Sequence, residues 1–326
     1  MSGLTDTATD ALVVMKFGGS SVRSAERIQD VVDIIRAKKS SAHPVVVVSA
    51  VGGVTDHLAS ALDDLDDNEF DPEPVIASLR TIHEAIAAEV LSESHAREYA
   101  ISLGRELEEL RKTLERAHGN TVTPTVRDKV LSVGERLSAP LLARALTSAG
   151  CPASAYNAAS LIATHRSNGD VDVDMRETHS AIRRWNALRE HEVVPVLTGF
   201  IGGTADGETT TLGRGGSDYS AAIVACALQA SVLERWTDVD GLYTEDPRTN
   251  GSAEHLRRLT YKEALEGTHE GRFGMHPRTL DPLLGTATEV HVRGTLTPDA
   301  PGTVSCRTTG ADRVTVVLLR VKTAFE

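Results

Sequence analysis

The chain has 326 residues, 40% of them apolar and 25% charged, with a formal net charge of −12 at pH 7. That length and apolar content suffice to bury a large core, in one domain or two. The acidic balance excludes a nucleic-acid partner as the expectation, because binding to phosphate backbones rests on clustered cations.

The first residues are polar and acidic with no basic segment, and the apolar run behind them is too short for a signal peptide or a membrane span. Residues 1–11 read as a disordered tail, and no membrane partner is expected. In "VVMKFGGSSVRSAERI" a short buried strand over Leu12 to Met15 leads into Lys16, the bare amides of Gly18 and Gly19, Ser20, and helical spacing over Ala25 to Ala37. A strand, an amide loop and a helix start make an anion site to which Lys16 adds a full charge. An ordinary βα turn with a lysine at its rim has the same pattern, and the Walker spacing is absent.

The run Val45 to Val48 in "HPVVVVSAVGGVTDHLASAL" is short, continuous and β-branched, as a central parallel strand requires, and Gly52-Gly53 breaks it before a second helix. An acidic, proline-marked connector follows, and helical spacing over residues 75 to 117 predicts a helical insertion or lid within 63–125. Further on come a helix from about Glu135 to Ser148 closed by Gly150, a buried strand in "HEVVPVLTGFIGG", a glycine loop opening an apolar helix in "TTTLGRGGSDYSAAIVACALQA", and a strand plus polar loop in "SVLERWTDVDGLYTEDPR". Strands alternating with helices predict an α/β fold with a largely parallel sheet, whose ligands bind beyond the carboxyl ends of the strands, where these glycine loops fall. The segment "DRVTVVLLRVKTAFE" reads as a terminal strand. Cys151, Cys226 and Cys306 are odd in number and far apart, which fits a reducing compartment, with the cytoplasm as the default. The histidines show no zinc-ligand spacing.

Four loops carry the chemistry. Besides "KFGGSS", the segment "LSVGERLSA" places Glu135 near a helix start, where it either faces a ligand or complements the helix dipole. "LGRGGSD" sets Arg214 and Asp218 around Gly215-Gly216, with Asp218 either a site residue or a plain N-cap. Thr237, Asp238, Tyr243 and Arg248 lie in a loop able to hold a base, a ribose or phosphates, or to be a solvated turn.

Taken in order, "KFGGSSV", "VVVVSAVGGVTD", "SVGERLSAPLLA", "VPVLTGFIG", "TTTLGRGGSDYSAA" and "WTDVDGLYTEDPR" resemble the signatures of the aspartate kinases of the amino acid kinase family, over about Leu12 to Val304. The resemblance implies a three-layer αβα sandwich with a central, mainly parallel sheet, a catalytic domain over 12–305, and transfer of the ATP γ-phosphoryl group to the side chain of L-aspartate. It implies Lys16 and Asp218 as catalytic residues. By the same resemblance Ser49, Thr55, Glu135, Phe200, Arg214 and Ser217 form the amino-acid pocket, and Lys16, Gly18, Gly19, Ser20, Thr237, Asp238, Tyr243, Arg248 and Arg272 the nucleotide site. Mg²⁺, a hard cation, would arrive on the nucleotide, and a homodimer is expected. Charge logic agrees, because phosphoryl transfer between anions needs neutralisation and alignment, and an α-amino acid needs an anion for its ammonium and a cation for its carboxylate.

Two departures stand out. Where the family usually has a lysine in Gly-Ala-Lys-Val-Leu-His-Pro, "GRFGMHPRTL" places Phe273, so one expected phosphate cation is missing and neighbouring Arg272 is expected to compensate in part. After "VHVRGTLTPDAPGTVSC" only about twenty residues follow, read as a short tail over 306–326 too small for an ACT regulatory domain. The alternatives are a kinase of another carboxylate in a specialised pathway, or a weak nucleotide-binding pseudokinase or partner subunit, motivated by Phe273.

Overall fold

A computed structural model of the chain describes residues 11–167, 169–245, 249–271 and 273–306. The tail predicted over residues 1–11 lies outside them except for Ala11. So does the terminal strand and, except for Cys306, the segment 306–326.

In chain order the elements are β1 (Leu12–Phe17), α1 (Ala25–Lys39), β2 (His43–Val48), α2 (Val54–Asp63), α3 (Glu73–Val90), α4 (Glu93–Ala117), α5 (Pro124–Leu131) and α6 (Val133–Ser148). Next come β3 (Ala153–Tyr156), β4 (Thr164–Ser167), β5 (Asp170–Val173), α7 (Met175–Leu188), β6 (Val194–Thr198), β7 (Ile201–Gly203), β8 (Thr209–Thr211) and α8 (Gly216–Leu228). The last third holds β9 (Val232–Thr237), β10 (Leu242–Tyr243), β11 (His255–Leu256), β12 (Arg258–Thr260), α9 (Tyr261–His269), β13 (Glu289–Gly294) and β14 (Thr303–Cys306).

Eight strands form the central sheet in the order β12-β14-β13-β9-β1-β2-β6-β3. From β13 to β3 all neighbours are parallel, and the sheet turns antiparallel only where β14 meets β13. The chain builds outward from β1 through β2 to β6 and β3, then returns to lay β9 on the other side of β1 and β13 beyond it. The direction of winding therefore reverses between β1 and β9, and such a reversal leaves a crevice at the carboxyl ends of the two strands.

Alternate side chains of each strand point to opposite faces, so the central strands are apolar on both. Met15, Phe17, Val46, Val48 and Val196 face one core, shared with Ile28 of α1, Leu79 of α3, Leu107 of α4 and Leu141 of α6. Val14, Val47, Leu197, Leu233 and Val292 face the other, shared with Ile182 of α7, Ile223 of α8 and Ala264 of α9. The result is the expected sandwich of helices, sheet and helices.

Helix ends follow local chemistry. The Ser24 hydroxyl accepts from the Arg27 amide to start α1, and Thr260 with Glu263 makes a reciprocal capping box on α9. α6 starts at Val133 rather than Glu135 because α5 runs to Leu131 and the two helices share Ser132 as cap. Within the stretch 63–125, Leu103, Leu107, Leu110 and Leu114 of α4 join the first core, and the buried Tyr99 hydroxyl donates to the Leu137 carbonyl of α6 at 3.2 Å.

Because Leu107 is fully buried in that shared core, Leu107→Ala should destabilise the whole fold by about 2–5 kcal/mol in urea unfolding. A loss under about 1 kcal/mol would show that the α4 stripe does not contribute to the main core.

Candidate active site

Lys16 is the last but one residue of β1 and lies opposite Arg235 of β9 in the parallel register, at the point where winding reverses. Both side chains reach one carboxylate. Lys16 Nζ lies 2.6 Å from Asp218 Oδ1, and Arg235 Nε donates to Asp218 Oδ2 at 3.1 Å. Asp218 comes from the first turn of α8, which packs directly over β1. Its burial pushes the carboxyl pKa upward, but the Lys16 and Arg235 charges outweigh that and hold it at about 2. Asp218 is therefore an ionised partner of two cations. The N-cap position belongs instead to Gly215, whose φ of +71° and contact with His276 leave no room for a Cβ.

Around Lys16 opens a cavity of about 390 Å³ whose walls come from four loops. The Gly18-Gly19 turn follows β1, and a Cβ at Gly18 would stand 3.5 Å from the Lys16 ammonium. The Gly52 loop after β2 packs backbone against backbone on it, a Cβ at Gly52 falling 3.1 Å from the Gly19 carbonyl oxygen. Ser49, Thr55 and Asp56 line the cavity from the β2–α2 side, Glu135 from α6, Phe200 from the end of β6, and Arg214 and Ser217 from the start of α8. Ser138 of α6 donates to the Ser49 carbonyl at 2.7 Å and so ties two of these walls together.

Phe200 sits at φ +66°, a conformation that costs a non-glycine residue about 1 kcal/mol or more. Its amide donates to Ser220 Oγ at 3.0 Å, its carbonyl accepts from the Leu212 amide at 2.8 Å, and its ring lies against Gly216. The strain is therefore held from both sides, and it turns an aromatic ring onto the cavity wall.

Glu135 is almost wholly buried, and its Oε2 has no hydrogen-bond partner among the described residues. Desolvation pushes its pKa up to about 8, against smaller lowering effects from the Ala50 and Glu135 amides and the Lys16 charge. A purely dipole-complementing glutamate would point to solvent, whereas this one faces the cavity. Arg214 is exposed at the rim, with no ion-pair partner among the described residues.

Residues 11–294 match the amino acid kinase family. The chain belongs to that family. It is homologous to aspartokinases: over 299 residues it is 32% identical to lysine-sensitive aspartokinase 3 of Escherichia coli, covering 91% of this chain and 65% of that protein. Over 300 residues it is 31% identical to the chloroplastic bifunctional aspartokinase/homoserine dehydrogenase 1 of Arabidopsis thaliana, covering 91% of this chain and 33% of that one. The chain thus spans about a third of the length of the plant bifunctional relative and just under two thirds of the bacterial one. The structure of E. coli aspartokinase III in complex with aspartate and ADP superposes with a TM-score of 0.83 at 31% identity, over 92% of this chain and 65% of that chain.

In this member of the amino acid kinase family, Lys16, Asp218, Gly19, Ser49, Thr55, Glu135, Phe200, Arg214 and Ser217 converge on one cavity. Gly18 and Ser20 belong to the same turn without lining it, and Gly18 reaches β9 through its amide to the Trp236 carbonyl at 3.4 Å. Thr237 and Asp238 stand at the carboxyl end of β9, and the Tyr243 hydroxyl donates to Asp240 Oδ1 at 2.6 Å; none of these residues lines the cavity. Arg248 and Arg272 lie outside the described residues. Phe273 is buried in the second core, its ring filling the space a side chain at Gly267 of α9 would need. Sequence reasoning missed Asp56 and Arg235. Arg235 shares a sheet face with Leu233, as Lys16 does with Val14, but only the strand register sets the two cations side by side. Among the described residues no cluster of three His, Cys, Asp or Glu side chains forms a metal cage.

The raised Glu135 pKa sets a stability profile. With about 8 in the fold against 4.5 for the free side chain, the folded state binds the extra proton between those values, so stability falls as pH rises across that window. Glu135→Gln should remove this slope and leave the variant more stable than the parent at pH 9 by about 1–3 kcal/mol, read from urea unfolding at pH 5, 7 and 9. A parent whose stability is flat over that range would contradict the assignment.

Proposed function

We propose that this chain transfers the γ-phosphoryl group of ATP to the side-chain carboxylate of L-aspartate, forming L-aspartyl 4-phosphate and ADP. One observation carries the reading: Glu135, a buried carboxyl whose Oε2 has no partner among the described residues, and Arg214, a guanidinium with no ion-pair partner among them, line the same cavity as the Lys16–Asp218 ion pair. The first two are the complement of an α-ammonium and a carboxylate, and the third suits a transferring phosphoryl group. The homology to aspartokinases, one of them solved with aspartate and ADP, supports the same assignment.

In this mechanism the substrate carboxylate is already ionised and attacks the γ-phosphorus itself. The bond from γ-phosphorus to the bridging oxygen breaks, and its electron pair leaves with ADP, so no protein base is required. Lys16 meets the charge that builds on the transferring oxygens, while Asp218 fixes the ammonium in place. Mg²⁺ on the triphosphate would supply further neutralisation. Arg214 holds a carboxylate of the amino acid, Thr55 and Ser217 offer hydroxyls, and the Phe200 ring closes one wall. Glu135, largely protonated when the cavity is empty, gives up its proton as the substrate ammonium arrives, because the new charge restores the carboxylate form.

Trapping the acyl phosphate with hydroxylamine, in a reaction of aspartate, ATP and Mg²⁺, tests substrate and reaction together. A hydroxamate formed with aspartate and not with other carboxylic amino acids is expected, and its absence would sink the reading. Lys16→Ala should lower kcat by about 10²-fold or more with the fold retained. Arg214→Ala should raise the aspartate KM about ten- to a hundredfold, as loss of a charged contact predicts, with little change for ATP. Equal losses for both substrates would mean the pocket is misassigned.

A further inference from the structure

Arg235 has no role in the chemistry described so far, yet it is built into the same charge unit as Lys16. Lys16 and Arg235 are register partners on adjacent parallel strands and bind the two oxygens of the one buried carboxylate of Asp218. Two cations on one carboxylate leave a net positive charge beneath the Gly18-Gly19 turn. Asp218 alone would cancel Lys16, and a neutralised lysine is a poor partner for a polyphosphate. The second cation keeps the crevice positive.

The orientation of the guanidinium adds to this. Its Nε is engaged by Asp218, and its Nη2 donates to the Gly274 carbonyl at 2.9 Å, which holds the chain just before His276. That histidine in turn packs on Gly215 at the start of α8. No partner for Nη1 is found among the described residues, and the side chain keeps 13% exposure, so one nitrogen of the fork is left over beside Asp218, which itself lines the cavity. An arginine held at two of its nitrogens with a third left open is prepared for an anion arriving from solvent, and its planar fork suits phosphate oxygens. At the corresponding edge of the second core, Phe273 contributes a buried ring and no charge.

We propose that Arg235 is a catalytic residue of this site, binding the β- and γ-phosphate oxygens of the nucleotide as the second cation beside Lys16. The assignment rests on the phosphoryl-transfer reading above, and its test is chosen to separate the two. Arg235 neutralises charge on the bridge between leaving and transferring phosphates, where it grows as the bond breaks. Its contact with Asp218 simultaneously keeps that carboxylate from drawing Lys16 away.

The experiment compares the parent chain with Arg235→Met, Arg235→Gln and Arg235→Lys. Calorimetry with Mg²⁺ measures binding of AMP, ADP and an ATP analogue with a β,γ-imido bridge, and the hydroxamate assay measures kcat and the aspartate KM. Arg235→Met should weaken ADP and the imido analogue at least about tenfold and leave AMP unchanged, because only the β- and γ-phosphates lose a partner. The kcat should fall at least about tenfold while the aspartate KM stays within about threefold, and methylguanidine should restore part of the rate. Arg235→Lys should lie between parent and Arg235→Met. If Arg235→Met does not fold, Arg235→Gln, which keeps a donor for Asp218, carries the same comparison. Equal weakening of AMP and the imido analogue, or no weakening of either, would overturn the assignment. A parent that makes no aspartyl hydroxamate but loses phosphate discrimination on substitution would defeat the aspartate reading and leave Arg235 standing. Hydroxamate formation at the parental rate in every variant would do the reverse.

Discussion

The site depends on a carboxylate buried between two cations. Asp218 has almost no access to water, and an isolated carboxylate there would become neutral; Lys16 and Arg235 keep it charged. The dependence is mutual, because the buried Lys16, at the carboxyl end of an apolar strand, would itself be costly without it. Removing one member of such a unit strands the others, so the three residues act as one device rather than three separate contacts. Their positions in turn require β1 and β9 to be neighbours and α8 to lie across them.

The doubly covered parallel sheet meets that requirement. Its strands are buried on both faces, which restricts polar groups to their ends, and the reversal of winding opens a crevice at the one place where two strand ends diverge. Loops of bare glycine close the crevice because their backbones must approach each other within contact distance, as at Gly19 and Gly52. Backbone amides thereby become available to a ligand along with the lysine charge.

Elsewhere the fold gives up stability at the same cavity. Glu135 is held in a dry environment that raises its pKa to about 8, and Phe200 keeps a left-handed backbone conformation. Neither is explained by packing alone. Both become reasonable if an ammonium and a carboxylate complete the site. The buried faces of α3 and α4 carry His83, whose Nε2 lacks a partner among the described residues and whose pKa burial lowers, and Tyr99, whose hydroxyl burial holds above its usual range.

Much of this was legible in the residues themselves. Continuous β-branched runs such as Val45–Val48 read as strands buried on both faces, and Lys16 before Gly18-Gly19 or Arg214 before Gly215-Gly216 are local patterns that mark candidate anion sites while leaving an ordinary turn open. Local spacing likewise marked Glu135 and Asp218 as acids near helix starts, but left open whether they served the helix or a ligand. Packing places Asp218 against two cations and Glu135 on the cavity wall, and packing is not a local property. Arg235 stayed hidden because its meaning lies wholly in strand register: it is 219 residues from Lys16 in sequence and directly beside it in the sheet. Phe273 shows the converse, a residue whose place in a sequence pattern suggested the site while its ring went to the core under Gly267. Periodicity is encoded locally, whereas the pairing of charges across strands arises only when the sheet order brings distant segments together, and no single window of sequence contains both partners.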